Sequence, residues 1–278
     1  MSLSRFHQLI NQDHPPLLEA SLLLVKNIVD STLDIEQWTA AIDDLAADAS
    51  EHVSVADDVA TQALDLADWL FGTAGAGFQG NRRHYGDPRN SFINQVVERK
   101  LGIPITLSII LIETAARLEI PLVGIGLPGH FVVGSQQVEV DGWPLLIDPF
   151  NHGKQLKRDD CAQLIAQTSG FQGQFQEEWL QPTSSKYILI RVLNNLRIAF
   201  MRQEDWASAI LSFKHLQILD PEQASHYRDE GLVHYHIKQY LQASTLLEKY
   251  SELEPEAKDI DMIKSMVSEQ LTKWAKLN

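Results

Sequence analysis

Apolar side chains recur at helical spacing through residues 15–70. After Pro15-Pro16, one apolar face is outlined by Leu17, Leu18, Leu22, Val25, Ile28 and Val29. A second face runs through Leu33, Ile35, Trp38, Ala41, Ile42 and Leu45, with Asp34 placed to cap it. Val55, Val59, Leu64, Leu66, Trp69 and Leu70 predict a third helix. The glycine-rich stretch from Gly72 to Gly80 follows. It contains Gly75-x-Gly77-x-x-Gly80, the spacing of a dinucleotide-binding turn. A helix rather than a strand precedes it, and Arg82-Arg83-His84-Tyr85-Gly86-Asp87-Pro88 does not open a helix, so it reads as a connecting loop. Residues 90–97 predict a short helix capped by Asn90 or Ser91. Pro104 to Leu118 is apolar on most sides, as a buried helix is. Proline suits its first position, where a missing N–H costs nothing.

The period then changes. Pro121–Gly126, His130–Val133, Gln137–Val140 and Leu145–Asp148 read as short strands separated by Gly, Pro and Asp turns. Helices followed by antiparallel strands predict an α+β domain. Asp159 and Asp160 are placed to cap a helix through Ile165.

Beyond Pro182 the pattern is helical to the end and repeats. Ala209 recurs as Ala243, Leu219 as Leu253, and Asp220-Pro221 as Glu254-Pro255, each 34 residues on. That is the period of tetratricopeptide repeats. Leu196, Phe200, Ala209, Phe213 and Pro221 mark the first repeat; Tyr227, Gly231, Ala243, Leu247 and Pro255 mark the second. Residues 256–277 are expected to form a capping helix.

Composition narrows the function. The 278 residues suffice for two domains. A net charge of −14 disfavours nucleic acid and anionic membrane surfaces. The single cysteine, Cys161, excludes an intrachain disulfide and suits a reducing compartment. Met1 to Ile10 lacks the apolar core of a secretory signal, and no apolar run approaches the roughly 20 residues of a membrane helix. A cytoplasmic globular protein is expected.

Candidate chemistry lies in two phrases, Gly129-His130-Phe131 and Ile147-Asp148-Pro149-Phe150, read as a strand-borne histidine and a strand-borne aspartate. Upstream, Gly102-Ile103-Pro104 opens the buried helix. Helix start, histidine, aspartate is the order of a papain-like or transglutaminase-like thiol site. There the helix N-terminus favours a thiolate, the histidine takes the proton and the acidic group fixes the imidazole. His130 and Asp148 suit the last two roles. The helix start offers no thiol. Thr106 and Ser108 are the nearest hydroxyls for an alternative nucleophile. Cys161 lies beside Asp159 and Asp160, whose charges disfavour a thiolate, and reads as structural or surface. The His–Asp pair also reads simply as a satisfied structural hydrogen bond. His130, Asp148 and His152 match no metal-ligand spacing, and neither a metal nor a cofactor is expected. His234 and His236 point to different helix faces. Asp13-His14 and Asp57-Asp58 read as solvated surface, while Arg82, Arg83 and Arg89 concentrate positive charge suited to an anionic contact.

Four linked phrases carry a resemblance. They are Asn90-Ser91-Phe92-Ile93-Asn94, then Glu98 through Ser108, then Gly126 through Val132, and finally Ile147 through Asn151. Together they resemble the SirB family, type one, in which a transglutaminase-like domain precedes tetratricopeptide-like repeats. The resemblance implies a papain-like α+β domain over 1–180, with a helical lead over 1–85 and a core over 86–180. An all-α repeat domain over 181–278 is implied to follow. Aligning the Leu118-Glu119-Ile120-Pro121 turn with the wider superfamily and counting back along the helix puts the nucleophilic cysteine at Pro104. His130 and Asp148 fall on the other two positions. The expectation is a non-catalytic interaction or regulatory protein, holding a protein or peptide through the repeat groove or the residual cleft. The alternative is a hydrolase or acyltransferase using His130 and Asp148 with a hydroxyl or water.

Overall fold

The computed structural model describes residues 2–13, 15–55 and 58–277. His14 and Asp57 lie outside the described residues. The chain divides into two compact units, 1–192 and 193–278.

The first unit opens with four helices: α1 (Ser2–Ile10), α2 (Leu17–Ile28), α3 (Ile35–Ser50) and α4 (Val59–Phe71). The sequence periodicity does not mark α1, which is held by burying Phe6, Leu9 and Ile10. Asp34 caps α3, its side chain accepting from the backbone N–H of Glu36 and Gln37. Asp58, read as surface, caps α4 in the same way, on Ala60 and Thr61. The third helix therefore starts four residues later than Val55, which is 93% exposed instead of in the core.

Two features depart from the loop and cap expectations. The end of the glycine-rich stretch forms β1 (Gln79–Gly80), paired in parallel with β2 (Leu101–Gly102). Neither Asn90 nor Ser91 caps a helix. A 3-10 turn, Pro88–Asn90, is capped by Asp87, and α5 (Ile93–Arg99) follows with no side-chain cap. Asn90 is fully buried, and its amide donates to the carbonyls of His84 and Tyr85. It thereby fastens the basic loop.

Helix α6 (Pro104–Arg117) starts at the predicted proline and buries ten of its residues. A four-stranded antiparallel sheet follows, in sequence order: β3 (Val123–Ile125), β4 (Val132–Val140), β5 (Trp143–Asp148) and β6 (Lys154–Gln155). The two middle strands expected from the pattern are one strand, β4, whose register against β5 shifts between Gly134 and Glu139. Successive side chains of a strand point to opposite faces, and here residues of both sets are buried: Val132 and Leu146 on one, Val133, Leu145 and Ile147 on the other. Ile125, Val132 and Leu146 pack with Leu156, Cys161 and Ile165, placing α7 (Arg158–Ser169) on one face. The helix starts before the expected caps: Lys157 is its N-cap residue, and Asp160 reaches back to the Lys157 N–H. The segment after α7 returns to the sheet edge, where Thr183 N–H donates to the Gly124 carbonyl.

Helix α8 (Ser185–Arg202) carries the division between the units. In the second unit, α9 (Trp206–Leu219), α10 (Ala224–His236), α11 (Tyr240–Leu253) and α12 (Ile260–Leu277) follow. Starts and ends of α9 and α11 are each 34 residues apart. Both helices stop just before Asp220-Pro221 and Glu254-Pro255. Leu196, Ala209, Phe213, Ala243 and Leu247 are fully buried, as the repeat pattern predicts. Two positions differ. Leu196 and Phe200 are matched 34 residues on by Glu230 and His234, which are also buried. Glu230 accepts from Gln217 at 2.6 Å, and His234 Nδ1 is 2.6 Å from the Gln239 amide oxygen, so polar partners replace apolar packing there.

Candidate active site

The site forms where the loop before β4 meets the end of β5. His130 is not strand-borne: it precedes the first residue of β4 by two, in a tight turn. Gly129 makes that turn. Its φ is +72°, and a Cβ there would lie 2.8–2.9 Å from the Thr168–Ser169 backbone at the end of α7. Arg191 holds the same turn from α8. Its Nη2 donates to the His130 carbonyl at 2.7 Å, and its guanidinium sits over the Phe131 ring at 5.1 Å.

Asp148 ends β5 and caps the 3-10 turn Pro149–Asn151. It is fully buried, and donors converge on it. The backbone N–H of Phe150 and of Asn151 reach Oδ1 at 3.0 and 3.2 Å, and Asn151 Nδ2 reaches Oδ2 at 2.5 Å. His130 Nε2 lies 3.0 and 3.1 Å from the two carboxylate oxygens. A carboxylate only accepts, so the ring donates from Nε2, leaving Nδ1 as the nitrogen not taken by Asp148. The contact has the form of the carboxylate–imidazole pair found in nucleophilic sites, and also that of a satisfied structural hydrogen bond. The ring is itself only 4% exposed.

The other half differs. Pro104 occupies the first turn of α6, where it offers neither a thiol nor a backbone N–H. Thr106 Oγ1 accepts from the Ile103 N–H and donates to the Asn90 carbonyl at 2.7 Å. Ser108 Oγ donates to the Pro104 carbonyl at 2.8 Å. Both hydroxyls are buried and serve the backbone around the helix start. Cys161 is buried in the core beneath the sheet, and burial with nearby Asp160 and Asp148 pushes its thiol up to about 12. It packs as a small apolar side chain.

Phe150 joins the pair to the surface. Its ring meets His130 edge-on at 6.1 Å and Tyr85 edge-on at 5.9 Å, with the Arg82 guanidinium 4.9 Å from its centroid. Arg82 also donates to the Asn151 side-chain oxygen. Gly80 permits this approach, since a Cβ there would lie 2.6 Å from the Phe150 ring. Burial raises the Tyr85 phenol above its ordinary value, and the Arg191 charge opposes that shift. Arg89, expected to help an anionic contact, is instead bound to Asp87. His152 is exposed, with φ of +61°. His234 is buried while His236 packs beside Trp206. No group of three or more potential metal-ligating side chains occurs among the described residues. No described helix is long and apolar enough to cross a membrane.

Sequence reasoning missed Arg191, Tyr85, Asn151 and the link from Arg82. Only Asn151 had a signal: an aspartate followed by proline and, three residues on, asparagine reads as a capped turn.

A buried helix beginning at Pro104, followed by an antiparallel sheet that carries the His130–Asp148 contact, is the layout of a transglutaminase-like domain, and a repeat module follows it. The sequence pattern described as transglutaminase-like superfamily matches residues 36–194, and that of the tetratricopeptide repeat matches residues 196–268. A UPF0162 protein of Xylella fastidiosa strain Temecula1 is 36% identical over 191 residues, covering 68% of this chain and 67% of that protein. A UPF0162 protein of Vibrio cholerae is 26% identical over 196 residues, covering 69% and 70%. F-box only protein 21 of Homo sapiens is 30% identical over 169 residues, 57% of this chain and 27% of that protein. The chain belongs to the transglutaminase-like superfamily and, within it, to the SirB-type UPF0162 family.

Proposed function

We propose that this protein is a non-catalytic interaction or regulatory module built on a transglutaminase-like scaffold. The observation that carries the reading is Pro104 at the start of α6, with the Thr106 and Ser108 hydroxyls both engaged by backbone groups. A nucleophilic mechanism needs an activatable group beside the histidine. Repeats of this type generally hold peptides or partner helices, which supports a partner at the repeat groove or in the residual cleft. One buried cysteine and bacterial UPF0162 relatives support a cytoplasmic, bacterial setting.

A second reading, hydrolase or acyltransferase, draws support from the intact His130–Asp148 contact. For hydrolysis the nucleophile would be a water that gives its proton to His130, and for acyl transfer it would be the acceptor's own hydroxyl or amine, deprotonated the same way. The test is incubation of wild type and His130→Ala with a peptide, amide and thioester library, read by mass spectrometry. Equal, background-level conversion is expected; conversion that requires His130 overturns the non-catalytic reading.

A further inference from the structure

Charge is unevenly spread around the site. Residues 1–80 hold thirteen carboxylates against Arg5 and Lys26. Residues 81–100 reverse the balance, with Arg82, Arg83, Arg89, Arg99 and Lys100 against Asp87 and Glu98. Residues 149–158 hold Lys154, Lys157 and Arg158 and no carboxylate. The fold brings the two basic segments together at Phe150, through Arg82 and the Asn151 side chain. Several of these charges are matched: Arg89 by Asp87, Lys154 by Asp160, Arg158 by Glu177. Arg82 and Arg83 are exposed and have no carboxylate partner among the described residues. Beside them Tyr85 leaves 48% of its surface exposed, and its ring touches Phe150, which in turn touches His130.

An unmatched arginine pair beside a half-exposed aromatic ring, on the surface over the buried His130–Asp148 pair, is a recognition feature. Guanidinium groups pair with carboxylates in bidentate fashion, and a tyrosine ring supplies apolar contact at low entropic cost. We propose that this rim binds a short acidic segment of a partner protein, with carboxylates on Arg82 and Arg83 and an apolar side chain against Tyr85. The inference rests on the binding-module reading of the site and names its partner class. A peptide fits better than a nucleic acid. A long polyanion is opposed by the chain's net charge of −14, whereas a short segment lies within about one Debye length of the arginines.

The test uses the full chain and a fluorescein-labelled Asp/Glu-rich peptide carrying one Phe, followed by anisotropy at low and physiological salt. Saturable binding is expected, weakened about tenfold or more by Arg82→Glu with Arg83→Glu and by added salt. The single variant Arg83→Glu, at an exposed position, keeps the test valid if the pair disturbs folding, which circular dichroism reports. No binding by wild type, or equal binding by Arg83→Glu, overturns the rim inference and leaves the non-catalytic reading standing. Tighter binding of an oligothymidylate than of the peptide also overturns it. Peptide cleaved by wild type but not by His130→Ala overturns the non-catalytic reading, while rim binding stands if Arg83→Glu weakens the complex.

Discussion

The imidazole of His130 and the carboxylate of Asp148 are in direct contact, Nε2 lying 3.0 Å from one oxygen and 3.1 Å from the other. The same carboxylate caps the 3-10 turn that carries Phe150 and Asn151. Asp148 is therefore a folding element as much as a partner of histidine. Asp148→Ala strands several buried donors, and we expect a loss of roughly 3–5 kcal/mol in urea unfolding. His130→Ala removes one donor and should cost clearly less. Equal losses would contradict the capping role.

Pro104→Cys puts a thiol at the first turn of a 14-residue helix, where the free N–H groups favour thiolate. Iodoacetamide at neutral pH should label this variant quickly and wild type hardly at all, because Cys161 is buried with its thiol pushed up to about 12. Adding His130→Ala should slow the labelling about tenfold or more. Labelling indifferent to His130 would show that the ring does not address the helix start.

Gly129→Ala combines a left-handed φ with a backbone clash at Thr168. A destabilisation of about 2 kcal/mol or more is expected from denaturant midpoints. Gly142→Ala is the control, since its φ is also positive, at +75°, yet nothing lies within 4 Å of its Cβ. It should cost about half as much, and equal costs would show that strain alone is at work.

The repeat unit should weaken in mild acid. Burial lowers the pKa of His215 and of His226 below the ordinary 6.5. The unfolded chain then binds protons more readily than the folded one. This contribution is fully present above 6.5 and is lost as pH falls through and below it. Urea titrations at pH 7.5 and 5.5, read by hydrogen exchange on α9 and α10 peptides, should show an earlier transition at the lower pH. His226→Gln should reduce the difference; a transition independent of pH would falsify the assignment.

Much of this architecture can be read from local pattern. Pro104, Asp34 and the proline-ended repeat helices act within one turn of their own position, so short stretches of sequence suffice. His130 and Asp148 stand out by residue type and by their order after the helix start, although the expectation put His130 on a strand and it stands in the turn before β4. What pattern could not supply is contact across the chain. Arg191, on the helix that carries the division between the units, reaches back 61 residues to the His130 carbonyl. Asn90 looks like a helix cap and instead binds a loop, its amide donating to the carbonyls of His84 and Tyr85. Glu230 and His234 occupy positions where the repeat period predicts apolar side chains; Glu230 finds Gln217 on the preceding helix, and His234 finds Gln239 in the turn that follows its own helix.

The double duty of Asp148 bears on how this family's sequences are interpreted. Loss of the aspartate would unmake the turn beneath it whether or not any chemistry takes place there, and the histidine fills one of its acceptor sites. An intact His–Asp pair is thus no evidence of turnover by itself, since the fold has its own use for the carboxylate.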